Sequence, residues 1–133
     1  MEWIVLSLAF VLILLVFLMD VVWRKKKRLS LSVQRDVVQK WEKIGNIADM
    51  HRQILEVDKL FDFILTQKGY QGSYAEKLKA VQKREHFDTE PLWYIHKKRN
   101  QIAHEVEVTI SKEDQKKILI YGQESLRRLG INI

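Results

Sequence analysis

The residues best suited to chemistry lie within Trp93–Glu107, WYIHKKRNQIAHEVE, where Arg99 is followed by Asn100 and, four positions on, by His104. An imidazole that titrates near neutrality takes a proton from a hydroxyl and returns one to a leaving oxygen. A guanidinium grips phosphate oxygens through two donors and stays charged. An amide orients the phosphate or the imidazole, and Lys97 and Lys98 add positive charge beside the three. Cleavage of RNA without a metal asks for these groups: one to take the 2′-hydroxyl proton, one to protonate the leaving oxygen, and a cation on the phosphorane.

Placing those side chains requires a helix. At about 100° per residue, Leu92, Ile95, Ile102, Ala103 and Val106 fall on one arc, with Arg99 near its middle. Asn100 and His104, four apart, share one edge of that arc beside Trp93. A charge in an apolar arc must be paired or used. Asp58 is the matching oddity, because it projects from the stripe Met50, Ile54, Val57, Phe61, Ile64 and Leu65 of an earlier helix. Two such helices face each other in a small bundle, so an Asp58–Arg99 salt bridge within about 4 Å is predicted.

The string Arg99-Asn100-x-x-x-His104 resembles the signature of the HEPN superfamily, an Arg, a polar residue and a His four to six positions after the Arg. The likeness covers about residues 33–130 and rests on this motif and the helix layout. It implies a small helical bundle. Many such domains are metal-independent ribonucleases, often toxins, and others serve as nucleotide-binding or protein-interaction modules. In the catalytic ones, two protomers bring these positions together across a dimer interface, which makes Arg99, Asn100 and His104 of one copy a half-site. RNA, a second copy of the chain, and a protein partner or antitoxin are the partners this implies.

Ahead of that domain stands Trp3–Trp23, a run of 21 residues with Asp20 as its single charge. At about 1.5 Å rise per residue it spans a hydrocarbon core of roughly 30 Å, with Trp3 and Trp23 at the interfaces indoles prefer. A cleaved signal peptide fits poorly, since the basic run follows the apolar stretch and no small-x-small site stands out. Arg24, Lys25, Lys26, Lys27 and Arg28 come directly after it, suited to anionic headgroups. The positive-inside rule then predicts a single-pass inner-membrane protein, amino terminus outside and the rest cytoplasmic. Residues 1–28 hold five basic and two acidic side chains, and residues 29–133 hold 18 and 15, so half of the net +6 is juxtamembrane. The high charge is therefore no argument for nucleic-acid binding.

The expected division is residues 1–23 as transmembrane anchor, 24–32 as basic linker and 33–133 as a cytoplasmic bundle. Val33, Val37, Trp41 and Ile44 give a first amphipathic face, and Gly45-Asn46 a break. A helix over 47–68 stops at Gly69–Gly72; Ser73-x-x-Glu76 opens the next, with Tyr74, Leu78 and Val81 inward. Residues 84–88 read as loop, Thr89-Glu90-Pro91 as the start of the Arg99 helix, and 106–110 as an extended connector. Ser111-x-x-Asp114 caps a last helix, whose Ile118, Gly122, Ser125 and Leu129 share a side and whose glycine admits a close neighbour. The fold class is all-α: one transmembrane helix followed by a four- to five-helix, HEPN-like bundle.

Plainer readings stand beside these. His104 near a helix C-terminus suits the dipole, Asn100 is an ordinary surface residue, and Lys97-Lys98 a solvated face. A non-catalytic, membrane-tethered interaction or nucleotide-binding scaffold, in which Arg99, Asn100 and His104 are structural, is thus the alternative. His96 and His104, eight apart with no carboxylate between them in a chain without cysteine, make a poor metal pair. No metal and no cofactor are expected. No nucleophile elbow supports a Ser/His/Asp hydrolase, and one span is too solitary for a channel.

Overall fold

The computed structural model describes residues 1–26, 28–105 and 107–133, the side chains of Glu2 and Trp23–Lys26 apart. Lys27 of the basic run and Val106 of the predicted arc lie outside the described residues. Six α-helices account for the regular structure described: α1 (Glu2–Lys26), α2 (Leu31–Gly45), α3 (Met50–Gln67), α4 (Tyr74–Glu85), α5 (Glu90–His104) and α6 (Lys112–Arg128).

Within α1, Trp3–Val22 has a mean hydropathy of 3.0 and is long and apolar enough to cross a membrane. Its apolar side chains are exposed on every side, from Leu14 at 47% to Trp3 at 85%. They find no cover in the protein itself. The other five helices bury one stripe each, around α3, which packs on α2, α4, α5 and α6 while α5 also packs on α6. Ile54, Val57, Phe61, Ile64 and Leu65 of α3 are fully buried. They meet Val37 of α2, Leu78 and Val81 of α4, Leu92 and Ile95 of α5, and Ile118 and Leu126 of α6 in one core.

Helix ends follow local chemistry. Ser30 Oγ accepts the Val33 N–H at 3.3 Å, so α2 begins at Leu31, two residues before the predicted boundary, and the linker is shorter. Asp49 takes the Arg52 N–H at 2.8 Å, which starts α3 at Met50 rather than Ile47. Ser73 and Glu76 close the expected capping box, their reciprocal bonds measuring 2.7 and 3.3 Å. Ser111 caps α6 by accepting the Asp114 N–H at 3.0 Å. Thr89 does not cap α5. Its backbone is already helical (φ −94°, ψ −3°), whereas a capping side chain needs an extended residue. Asp88 accepts the Glu90 N–H instead, at 3.1 Å, and holds Arg128 at 2.8 Å. Helix α4 runs through Arg84 and Glu85, although their polar run predicts a loop.

Gly122 admits the Trp41 indole. A Cβ there would stand 2.6 Å from the ring, so the small residue serves a side chain of α2 rather than a helix backbone. The segment between α5 and α6 is tied down where Val108 C=O meets His51 Nε2 at 2.9 Å. Between α3 and α4, Lys77 reaches Asp62 and Thr66, each at 2.7 Å, while Lys68 pairs with Glu85 at 3.1 Å. These bonds satisfy the ammonium groups of two buried lysines.

Candidate functional site

The site starts from Asp58 in the middle of α3, whose side chain is only 8% exposed. Burial of a carboxylate must be offset, and α5 supplies the partners. Its Oδ1 lies 3.0 Å from His96 Nδ1, and its Oδ2 lies 3.7 Å from Arg99 Nε. The predicted Asp58–Arg99 contact is thus present, yet the shorter and better buried contact is to His96, 17% exposed. Burial pushes the Asp58 carboxyl above the usual carboxylate range, with His96 and then Arg99 pulling it back down.

Around this pair the ring of Tyr74 stands edge-on to His96 at 5.0 Å, and Trp93 does so at 6.0 Å. Tyr74 Oη is buried without a hydrogen-bond partner among the described residues, and its phenol is raised well above normal by burial first and then by Asp58 and Asp62. A carboxylate on Nδ1 fixes the imidazole so that Nε2 is the nitrogen left over, the arrangement that orients a proton-carrying histidine.

Arg99 is not enclosed. Its side chain is 40% exposed, and Nη1 donates to Asn100 Oδ1 at 3.1 Å. The arc that contains it is covered along only part of α5. Leu92 and Ile95 are buried and Ile102 half-buried, but Ala103, placed inward by the periodicity, is exposed, as is His104. No side-chain hydrogen bond holds His104 among the described residues. It is the last residue of α5.

Asn100 lines an open groove of about 520 Å³ along α5, together with Trp93, His96, Lys97, Gln101 and Glu105. Lys97 is exposed there, whereas Lys98 turns the other way and pairs with Asp114 of α6 at 3.1 Å. Asp114 also accepts Tyr94 Oη at 2.6 Å. The Tyr94 bond first, then those from Lys98 and Ser111, hold the Asp114 carboxyl down at about 2.

Helix geometry limits what one copy can do. Asn100 and His104 are one turn apart on one side, while Arg99 and His104 are separated by about 140° around the axis. The structure therefore gathers Asp58, His96, Arg99 and Asn100 into one connected cluster and leaves Lys97 and His104 on the adjoining surface. From sequence, His96 enters only as half of a poor metal pair with His104. The missed signal was its spacing: three residues before Arg99, it flanks the same inward carboxylate. No group of three or more His, Cys, Asp or Glu converges for a metal among the described residues.

Compared with known proteins, the chain matches no family model, no curated protein and no solved structure.

Proposed function

We propose that this chain is a membrane-anchored, HEPN-like helical domain that binds RNA and cleaves it without a metal through Arg99, Asn100 and His104. The observation that carries the reading is the open edge of α5: Asn100 and His104 face outward while Asp58 holds Arg99 with 40% of its side chain still exposed. In this mechanism the imidazole of His104 takes the 2′-hydroxyl proton. The freed oxygen attacks phosphorus, the bond to the 5′-oxygen breaks, and that oxygen regains a proton. Arg99 and Asn100 stabilise the charge on the phosphorane, and Lys97 draws the backbone in. Because Arg99 and His104 of one copy diverge around the helix, a second copy sharing the bilayer completes the site; tethering raises its effective concentration.

The anchor is α1, with Arg24–Arg28 against anionic headgroups and the bundle on the cytoplasmic face of the inner membrane, amino terminus outside. A protein partner such as an antitoxin would mask the same edge.

A second reading has its own observation. Arg99 already spends Nε on Asp58 and Nη1 on Asn100, which suits a non-catalytic scaffold whose motif fixes the register of α3 against α5. Incubating the full chain with RNA in EDTA separates the two. The ribonuclease reading expects cleavage that His104→Ala abolishes without loss of helicity; the scaffold reading expects no cleavage from either.

A further inference from the structure

Four cations border a second cleft: Lys40 and Lys43 late in α2, Arg52 early in α3 and Lys59 near its middle. The turn through residues 46–49 folds these rows into the two walls of a cavity of about 500 Å³. Its floor is apolar. Ile44 and Leu60 are 5% and 4% exposed, and Ile47 and Phe63 pack half-buried beside them. That volume falls in the range of small-ligand sites, roughly 300–1,000 Å³.

Charge is unbalanced at the rim, where Glu56 is the one lining carboxylate among the described residues. Lys59 is held by Glu56 at 3.0 Å, and Lys40 by Asp36, which parks its ammonium 4.8 Å over the Phe63 ring. Lys43 and Arg52, nearest the turn, have no carboxylate partner among the described residues. The cleft is therefore polarised. Two uncommitted cations stand at one end and an aromatic ring at the other, separated along α3 by about 16 Å from Arg52 to Phe63.

We infer that this cleft binds a single-chain aliphatic anion of the fatty-acid or lysophospholipid kind, its head on Lys43 and Arg52 and its chain over Ile44 and Leu60 toward Phe63. The walls discriminate against a nucleotide. Among the described residues no Asn, Gln, Ser or Thr lines the cleft, and its floor between the rim charges is aliphatic and aromatic, which leaves most of a base's donors and acceptors without a partner there. An aliphatic chain asks for none.

The test uses the full chain in phosphatidylcholine nanodiscs, ultraviolet cross-linking to a dodecanoic acid with a terminal diazirine, and peptide mass spectrometry. Labelled peptides should carry Ile44, Ile47, Leu60 or Phe63. The double variant Lys43→Glu with Arg52→Glu should lose about tenfold or more of that labelling, since two charge-assisted contacts are reversed. Lys79→Glu with Lys83→Glu, on exposed positions of α4, should leave it unchanged. Lysophosphatidic acid should displace the probe and ADP should not. Labelling confined to Trp3–Val22, labelling indifferent to the Lys43/Arg52 reversal, or displacement by ADP would each overturn the assignment.

Discussion

Asp58→Ala tests the geometry at the centre of the site. An ion pair fully enclosed by protein costs roughly 3–5 kcal/mol when one partner is removed, because the other charge is stranded. Here the guanidinium is not stranded. Arg99 is 40% exposed and can turn to water, and its 3.7 Å contact belongs with pairs worth about 0–1 kcal/mol. The His96 bond, at 3.0 Å and largely covered, is the larger contribution, on the order of 1.5–3 kcal/mol. Release of a carboxyl that burial already disfavours offsets part of it. The expected net loss is about 2 kcal/mol, a fall in Tm of roughly 10 °C for a bundle of this size. Thermal unfolding of the full chain, followed by circular dichroism at 222 nm, reads this, with Arg99→Ala alongside at under about 1 kcal/mol. The pH dependence has a definite sign. A carboxyl raised in the folded state contributes stability that is complete below its unfolded range and is lost as pH rises through the folded value. Asp58→Asn cannot ionise, so the wild type's lead over it should be greatest below the ordinary carboxylate range and shrink as pH rises above that range. An Arg99→Ala cost equal to that of Asp58→Ala, or a neutral Asp58→Ala, would refute the reasoning.

Asp114→Asn should weaken the α5–α6 contact by on the order of 1 kcal/mol at pH 7, its partly exposed position discounting the full linkage value. Because that carboxyl is depressed to about 2, the gap should hold above about pH 4 and close as pH falls through 2, read by denaturant midpoints across pH. Gly122→Ala should destabilise by about 1–2 kcal/mol despite alanine's better helix propensity, since its Cβ would stand 2.6 Å from Trp41; pairing it with Trp41→Leu should recover most of the loss. A reporter fused after Ile133 should be active only in the cytoplasm, and activity outside would remove the proposed orientation.

The helical layout was legible because periodicity and caps agreed. The α3 stripe, the Ser73–Glu76 box and the apolar run of α1 each carry their signal within a few residues. Misplaced boundaries came from competition between neighbouring caps. Asp49 outbids Ile47 as a start, and at α5 Asp88 accepts the Glu90 N–H while Thr89, already helical, caps nothing. At the site, Asp58 and Arg99 were visible as charges breaking two apolar stripes. Their unequal burial was not, because a helical wheel assigns the same environment along its whole length. Helix α5 loses its cover after Ile102, and this turns Ala103 and His104 outward and leaves Arg99 half-open. The role of His96 was only half legible: its spacing of three from Arg99 puts it beside the same inward carboxylate, but periodicity alone ranks it as a border residue, and the approach of Asp58 is what gives its Nδ1 a partner. The basic cleft likewise needs the α2–α3 turn to bring two separate rows of cations together.

The most direct measurement of the central claim is cleavage of one RNA oligonucleotide by the full chain in EDTA, beside the same sequence with a single 2′-deoxy residue at the cut position. The account predicts a product ending in a 2′,3′-cyclic phosphate, none at the deoxy linkage, and loss of orders of magnitude in rate for His104→Ala and Arg99→Ala. Cleavage of the deoxy linkage, dependence on added metal, or full activity in His104→Ala would contradict it.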